Sequence, residues 1–409
     1  MFDFPEGKRY NTFVGYYRRR YGERLQKLVL DAGFTCPNRD GTLSLGGCTY
    51  CDNAAFHPGY STPGKSLRGQ IDEGIEFHRV RYPRAKNYLA YFQAYSNTYA
   101  PLERLKVLYE EALSHPSVVG VVIGTRPDCI DEAKLDYLAA LASGKVLKGW
   151  ERHLAASTAA AASTAAAVTP SASSSASAII ASASTVFPAA APAQSAVSAA
   201  SAQSAPSAQS APAASAPSAP AASCASASSL YQPGTSVLTA PVVVMEYGIE
   251  SCFDSTLARI NRGHDFETAR KAVEMTAARG IDVCAHFILG LPGETRQMLL
   301  DQCDAISSMP LRSVKFHQLQ IVKGTRMEKE YSASPSDFLR LGLDDYIDLV
   351  VDILERLRPD LSIERVAGEV PPRFVTETPW GLVRNLDILR LLDARLDARG
   401  TWQGRLYRP

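Results

Sequence analysis

Between Arg152 and Glu246 the chain carries no charged side chain. From Ala155 to about Ser229 it is almost only Ala, Ser, Thr, Pro and Gln. Alanine favours helix, but the repeated serines and the prolines at 170, 188, 192, 206, 212, 217 and 220 oppose it. The few apolar residues there, Ile179, Ile180, Val186 and Phe187, bury too little surface to offset the ordering entropy. A long disordered insertion is expected, and Cys224 inside it has no ligand role. Other absences exclude whole classes of function. No hydrophobic run is long enough to cross a bilayer. The opening residues, MFDFPEGKRYNTF, lack the charged-then-apolar layout of a secretory signal. Neither charge sign is in excess: 43 basic residues face 42 acidic ones, so no global field recruits nucleic acid or a membrane. Eight cysteines without regular pairing, and no export signal, lead to the expectation of a cytoplasmic protein with no membrane partner.

What is present is a core-forming chain, 46% hydrophobic over 409 residues, organised around Leu28 to Asn53. A short apolar run ends at Asp31, and Cys36, Cys48 and Cys51 follow with the spacing C-x11-C-x2-C. Gly33, Gly41, Gly46 and Gly47, with Pro37, Asn38 and Asp40, make the segment a loop that can fold back on itself. Three thiolates with no fourth nearby suit a 4Fe–4S cluster with one iron left open. A closed zinc site would need His57 to complete it, and unligated cysteines are the third reading.

Around this loop runs an alternation of strands and helices. Lys27 to Leu30, Asn87 to Gln93, Val118 to Ile123, Val242 to Gly248, Val283 to Leu289 and Ser313 to Ile321 read as strands. Helical spacing covers Lys65 to Arg81, Leu102 to Ser114, Asp131 to Ala142, Ser255 to Ile260, Phe266 to Arg279, Thr295 to Ser308 and Asp344 to Leu357. The pattern predicts an α/β fold, a partial (β/α)6 parallel barrel with a C-terminal helical extension. Its expected divisions are 1–150 for the arm, the cysteine loop and the first half of the barrel, 151–240 for the insertion, 241–330 for the second half, and 331–409 for the extension. The basic arm, Lys8 to Arg24, has tyrosines interleaved and is expected to be an amphipathic helix packed by its rings rather than a nucleic-acid grip.

Polar segments fall at the carboxyl ends of five strands: the cysteine loop, QAYSNT (93–98), GTRPD (124–128), GIES (248–251) and GLPGE (290–294). Parallel barrels build their sites at that end, so the five should converge. The cysteine loop, TRPD, INRGHD (260–265), HFILGLPGE and TWQG (401–404) together resemble radical S-adenosylmethionine (SAM) proteins of the Elongator-like branch, YhcC-type group. The resemblance implies a radical SAM type barrel whose Cys36, Cys48 and Cys51 ligate a 4Fe–4S cluster, with S-adenosylmethionine chelated on the open iron. It further implies Tyr50 near the adenine, Gln93, Ser96 and Asn97 near the cofactor amino group, and Glu250 as a polar contact. Arg262 would pair with the cofactor carboxylate, His286 would touch the ribose, and Gly290 and Gly293 would let backbone approach the adenine. Arg126, in TRPD, is counted in the same cofactor-binding set.

Two function classes follow. The first is a radical SAM enzyme that reductively cleaves S-adenosylmethionine to a 5′-deoxyadenosyl radical, served by flavodoxin or ferredoxin. Its substrate is unassigned, with RNA modification of tRNA ahead of a small metabolite. The second is a zinc-stabilised RNA-binding or scaffold protein without radical chemistry.

Overall fold

The structure is a computed structural model describing residues 2–52, 57–83, 85–147 and 238–409. The expected insertion lies outside the described residues, apart from 238–240. The described residues on either side of the gap lie close together: a Cβ on Gly144 would be 3.5 Å from the Cβ of Ala240. Leu147 and Leu238, on either side of the gap, both pack on the core.

Among the described residues seven strands form one parallel sheet in sequence order: β1 (Gln26–Leu30), β2 (Tyr88–Phe92), β3 (Val118–Thr125), β4 (Val242–Glu250), β5 (Asp282–Leu289), β6 (Ser313–Gln318) and β7 (Ser362–Arg365). This is the expected partial barrel with one strand more, a half-barrel whose edges are β1 and β7. The four residues of β7, SIER, are too short and too polar to register as a strand in sequence. Helices cross between strands: α1 (Phe13–Tyr21) precedes β1, and α2 (Leu67–Arg81), α3 (Leu102–Leu113) and α4 (Glu132–Ala142) follow β1, β2 and β3. After β4 come α5 (Asp254–Arg259) and α6 (Phe266–Ala277), and α7 (Arg296–Ser308) follows β5. α8 (Arg326–Ala333) and α9 (Leu343–Arg356) lie between β6 and β7, and α10 (Asn385–Ala398) closes the chain. Asp131 caps α4 at its amino end, accepting from the Lys134 amide at 2.9 Å.

Strand residues alternate between two faces. Tyr88, Ala90, Phe92, Val243, Met245, Tyr247, Val283, Ala285, Phe287, Val314 and Phe316 join the main core with the helices. Leu89, Val119, Val122, Val242, Val244 and Cys284 form a second cluster, with Tyr17 and Leu25 buried among them. Phe13, Tyr16 and Tyr21 pack against this cluster, so α1 plugs the amino-terminal end of the half-barrel. Each fully buried Leu, Val or Phe contributes about 1.5–3 kcal/mol. The arm is held by its tyrosines, as its pattern predicts. TWQG also ties elements together. Gln403 is fully buried; its Nε2 donates to the carbonyls of Arg358 and Leu361 at 2.8 Å each, and its Oε1 accepts from the Asn11 amide at 2.9 Å.

Candidate active site

The cysteine loop leaves β1 and reverses on glycines with positive φ, 93° at Gly41, 85° at Gly46 and 79° at Gly47. It is sewn to the segment after α5. The Thr49 amide donates to the Ile260 carbonyl at 3.0 Å, and Asn261 Nδ2 donates to the Gly47 carbonyl at 2.9 Å. From α8, Arg326 donates to the same Gly47 carbonyl at 2.7 Å. The loop therefore covers the carboxyl end of the sheet.

Beneath it is a cavity of about 260 Å3. Cys36, Cys48, Cys51 and Tyr50 line it with Gln93, Ser96, Arg126, Glu250, Arg262 and His286. Four strand ends and the loop thus meet at one place. The three sulfurs are not all within 4.8 Å of one another; among the described residues only Glu246, Cys284 and His286 form so tight a trio of ligand atoms. His57 sits elsewhere, with Nδ1 3.7 Å from the carboxylate of Asp31. Burial pushes the Cys51 thiol up to about 12, and Cys48 adds to the effect while Arg39 opposes it. Burial likewise raises the Tyr50 hydroxyl well above its usual range, reinforced by Cys48 and Glu250.

Arg262 is the cation at the centre. Its Nη1 donates to Cys48 Sγ at 3.5 Å, its Nη2 donates to the Gly248 carbonyl and lies 3.6 Å from Glu250, and its Nε is buried without a partner. Burial alone would weaken its proton affinity, but Tyr50, Cys48 and Glu250 raise it well above normal. Glu250 is held at φ 75°, a left-handed conformation that costs a non-glycine residue energy and aims its carboxylate at this cation.

Not every expected residue faces the cavity. Asn97 is fully buried and donates to the Gly124 carbonyl at 2.7 Å, linking the ends of β2 and β3. Gly290 and Gly293 have positive φ but pack outward, against Leu339 and Arg259. Arg126 reaches the cavity while its guanidinium grips Asp128 at 2.8 and 2.6 Å and the Arg262 carbonyl at 2.7 Å. Cys129, Cys284 and Cys303 are buried and Cys252 half-buried, in separate elements.

A layer of charge that sequence reading missed lies lower on the inner face. Lys315 is 2% exposed; it pairs with Glu246 at 2.7 Å and with Glu364 at 2.8 Å. Lys27, on edge strand β1, reaches Glu364, on edge strand β7, at 2.6 Å and also touches Glu246. Burial would raise the Glu246 carboxyl, but Lys27 and Lys315 hold it well below the usual carboxylate range. His286 Nε2 sits 3.0 Å from the same carboxylate. Burial, with Arg365 and His286 nearby, drives the pKa of His317 well below the usual imidazole range. The signal was a single charge inside each apolar run, VVVMEYG and SVKFHQ, at inward-facing positions. A second cavity, of about 880 Å3, opens beside the first and shares Tyr91, Gln93, Lys315, Gln318 and Arg365 with it.

A half-barrel with three loop cysteines at its carboxyl end agrees with the family comparison: residues 237–306 match the Radical SAM superfamily and residues 311–398 the Radical_SAM C-terminal domain. These two matches support an enzyme of the radical SAM superfamily. Within it, the chain is similar over nearly its whole length to YtqA of Bacillus subtilis (strain 168), 28% identical over 406 residues, covering 98% of this chain and 93% of YtqA. It is likewise similar to YhcC of Escherichia coli (strain K12), 27% identical over 399 residues, covering 98% and 96%. Among solved structures, the archaeal Elp3 of Methanocaldococcus infernus lacking residues 1–46 shares the fold, with a TM-score of 0.51 and 11% identity. That likeness covers 93% of this chain, which spans 64% of the archaeal chain's length. The family implies a 4Fe–4S cluster and S-adenosylmethionine. No helix among the described residues is long and apolar enough to cross a membrane.

Proposed function

We propose that Cys36, Cys48 and Cys51 hold a 4Fe–4S cluster and that the chain binds S-adenosylmethionine beside it, acting on RNA, with tRNA as the substrate. The convergence of the three loop cysteines on one cavity, beside Arg262 and Glu250, carries the cluster reading. A closed zinc site would draw on His57, which sits instead against Asp31. Held by Cys36, Cys48 and Cys51, the cluster would supply the electron for reductive cleavage of S-adenosylmethionine and so the radical chemistry of the site. The chain's own residues bind, orient and shield. Arg262 would pair with the cofactor carboxylate, and Glu250, Gln93 and Ser96, which line the same cavity, would offer acceptors to its amino group. Tyr50 offers a ring to the adenine, and His286, fixed by Glu246, a polar contact to the ribose. α1 closes the opposite, amino-terminal end of the half-barrel, so access to the site is from the carboxyl end and the side cavity.

The side cavity, about 880 Å3, gives a substrate room beside the cofactor. It opens at the β1 edge, is lined by Tyr60, Phe77, His78 and Tyr82, and joins the cofactor cavity at Gln93 and Gln318. A flavodoxin or ferredoxin would supply the electron. The 1–150, 241–330 and 331–409 segments act as one catalytic unit in this reading, with 151–240 as an insertion that takes no part. The test is anaerobic reconstitution followed by iron, sulfide and zinc analysis and chromatography for 5′-deoxyadenosine with dithionite. Wild type should hold iron and sulfide and form the product, and Cys36→Ala, Cys48→Ala and Cys51→Ala should not. Colourless protein containing only zinc overturns the reading. For the substrate, tRNA nucleoside mass spectrometry of a deletion strain should show a lost modification; intact nucleosides beside an altered metabolite overturn the RNA assignment.

A further inference from the structure

Among the described residues, Cys48 is the one loop cysteine whose sulfur accepts hydrogen bonds from side chains, and it accepts two, from Arg262 and from Asn38 Nδ2 at 3.5 Å. Asn38 is fully buried and does not line the cofactor cavity, so it meets the sulfur from behind. Its amide is fixed in orientation. Oδ1 accepts from Ser44 Oγ at 2.8 Å, and the second Nδ2 hydrogen goes to the Asn261 carbonyl. Turning the amide over would set oxygen against the Asn261 carbonyl, so the donor end must face Cys48. The pocket leaves no slack: a Cβ on Gly263 would come within 3.0 Å of Asn38 Oδ1 and 3.2 Å of Arg126 Nη2.

We propose that Asn38 is a positioning residue that sets the electron affinity of the cluster, through its N–H bond to the Cys48 sulfur. This rests on the cluster reading above. Reduction adds negative charge to an iron–sulfur cluster, and hydrogen bonds to its sulfurs stabilise that charge and raise the potential. Arg262 does the same from the cavity side, where cofactor binding competes for it. Asn38 has no such competitor and acts whether or not cofactor is present.

The test is a redox titration of anaerobically reconstituted full-length protein without cofactor, followed by electron paramagnetic resonance. In Asn38→Ala the reduced-to-oxidised ratio at a fixed potential should fall about tenfold, which is about 59 mV for a one-electron couple. Asn38→Asp, replacing a donor with a charge, should fall further. Wild type labelled with 15N-asparagine should show an amide nitrogen coupled to the reduced cluster, which keeps the proposal testable where a variant loses iron. An unchanged midpoint in Asn38→Ala at full iron and sulfide overturns it, as does absence of that coupling. Wild type that takes up no iron overturns the cluster reading itself.

Discussion

Arg262 lies against Cys48, with Nη1 3.5 Å from the sulfur, and its second nitrogen faces Glu250 at 3.6 Å. One guanidinium thus touches both a thiolate assigned to the cluster and a carboxylate assigned to the cofactor. We predict that Arg262→Ala retains iron but loses cofactor affinity by 2–3 kcal/mol, on the order of 30- to 150-fold. Calorimetric titration with S-adenosylmethionine on reconstituted variant measures this. Unchanged affinity at full cluster content would return Arg262 to a purely structural role.

Gly144 and Ala240 touch across the gap in the described chain, which leads to the second prediction. Replacing Ala155 to Ser229 with a short Gly/Ser linker should leave iron content and cofactor binding unchanged. The ends are already together, and closure entropy depends only weakly on loop length. Iron loss in the shortened protein would mean that the tract belongs to the fold.

Much of this arrangement was legible because strand ends in a parallel barrel must converge. Gln93, Arg126, Glu250 and the three cysteines belong to segments far apart in sequence, yet each follows a strand of the parallel sheet and so lies at the same end. Periodicity does not say which way a residue faces once the strand has ended. Asn97 turns to the Gly124 carbonyl instead of the cavity, and Gly290 and Gly293 turn to the 337–339 segment and Arg259. Nor does it pair charges over long separations. Lys27 and Glu364 are 337 positions apart, and only closure of the sheet toward its own edge brings them together.

Lys315 is the hub of that buried network, and its loss should be costly. Lys315→Met leaves Glu246 and Glu364 to share Lys27 in a buried layer, and we predict destabilisation of about 3–5 kcal/mol. The double variant Lys315→Met with Glu246→Met restores charge balance and should regain part of that loss. Urea unfolding of the three proteins is the measurement. A single variant as stable as wild type, or a double variant no more stable than Lys315→Met alone, would show that the layer is not held by its charges.

Glu294 gives a prediction in pH. Its side chain is 4% exposed, with Ser251 Oγ 2.6 Å from one oxygen and the Leu291 amide 3.2 Å from the other. Burial raises its pKa to about 7, against the hydrogen bonds that favour the anion. A carboxyl whose folded pKa lies above its unfolded one favours the fold while protonated. That contribution is complete below the unfolded value, near 4.5, and is lost as pH rises through about 7. The shift corresponds to on the order of 3 kcal/mol. Glu294→Gln keeps the neutral shape at every pH, so it should match wild type near pH 5 and be the more stable protein near pH 8. Urea unfolding of the iron-free proteins at the two pH values checks this. A stability difference between them that does not change with pH would mean that Glu294 is ionised in the fold throughout, with the Ser251 and Leu291 bonds outweighing its burial.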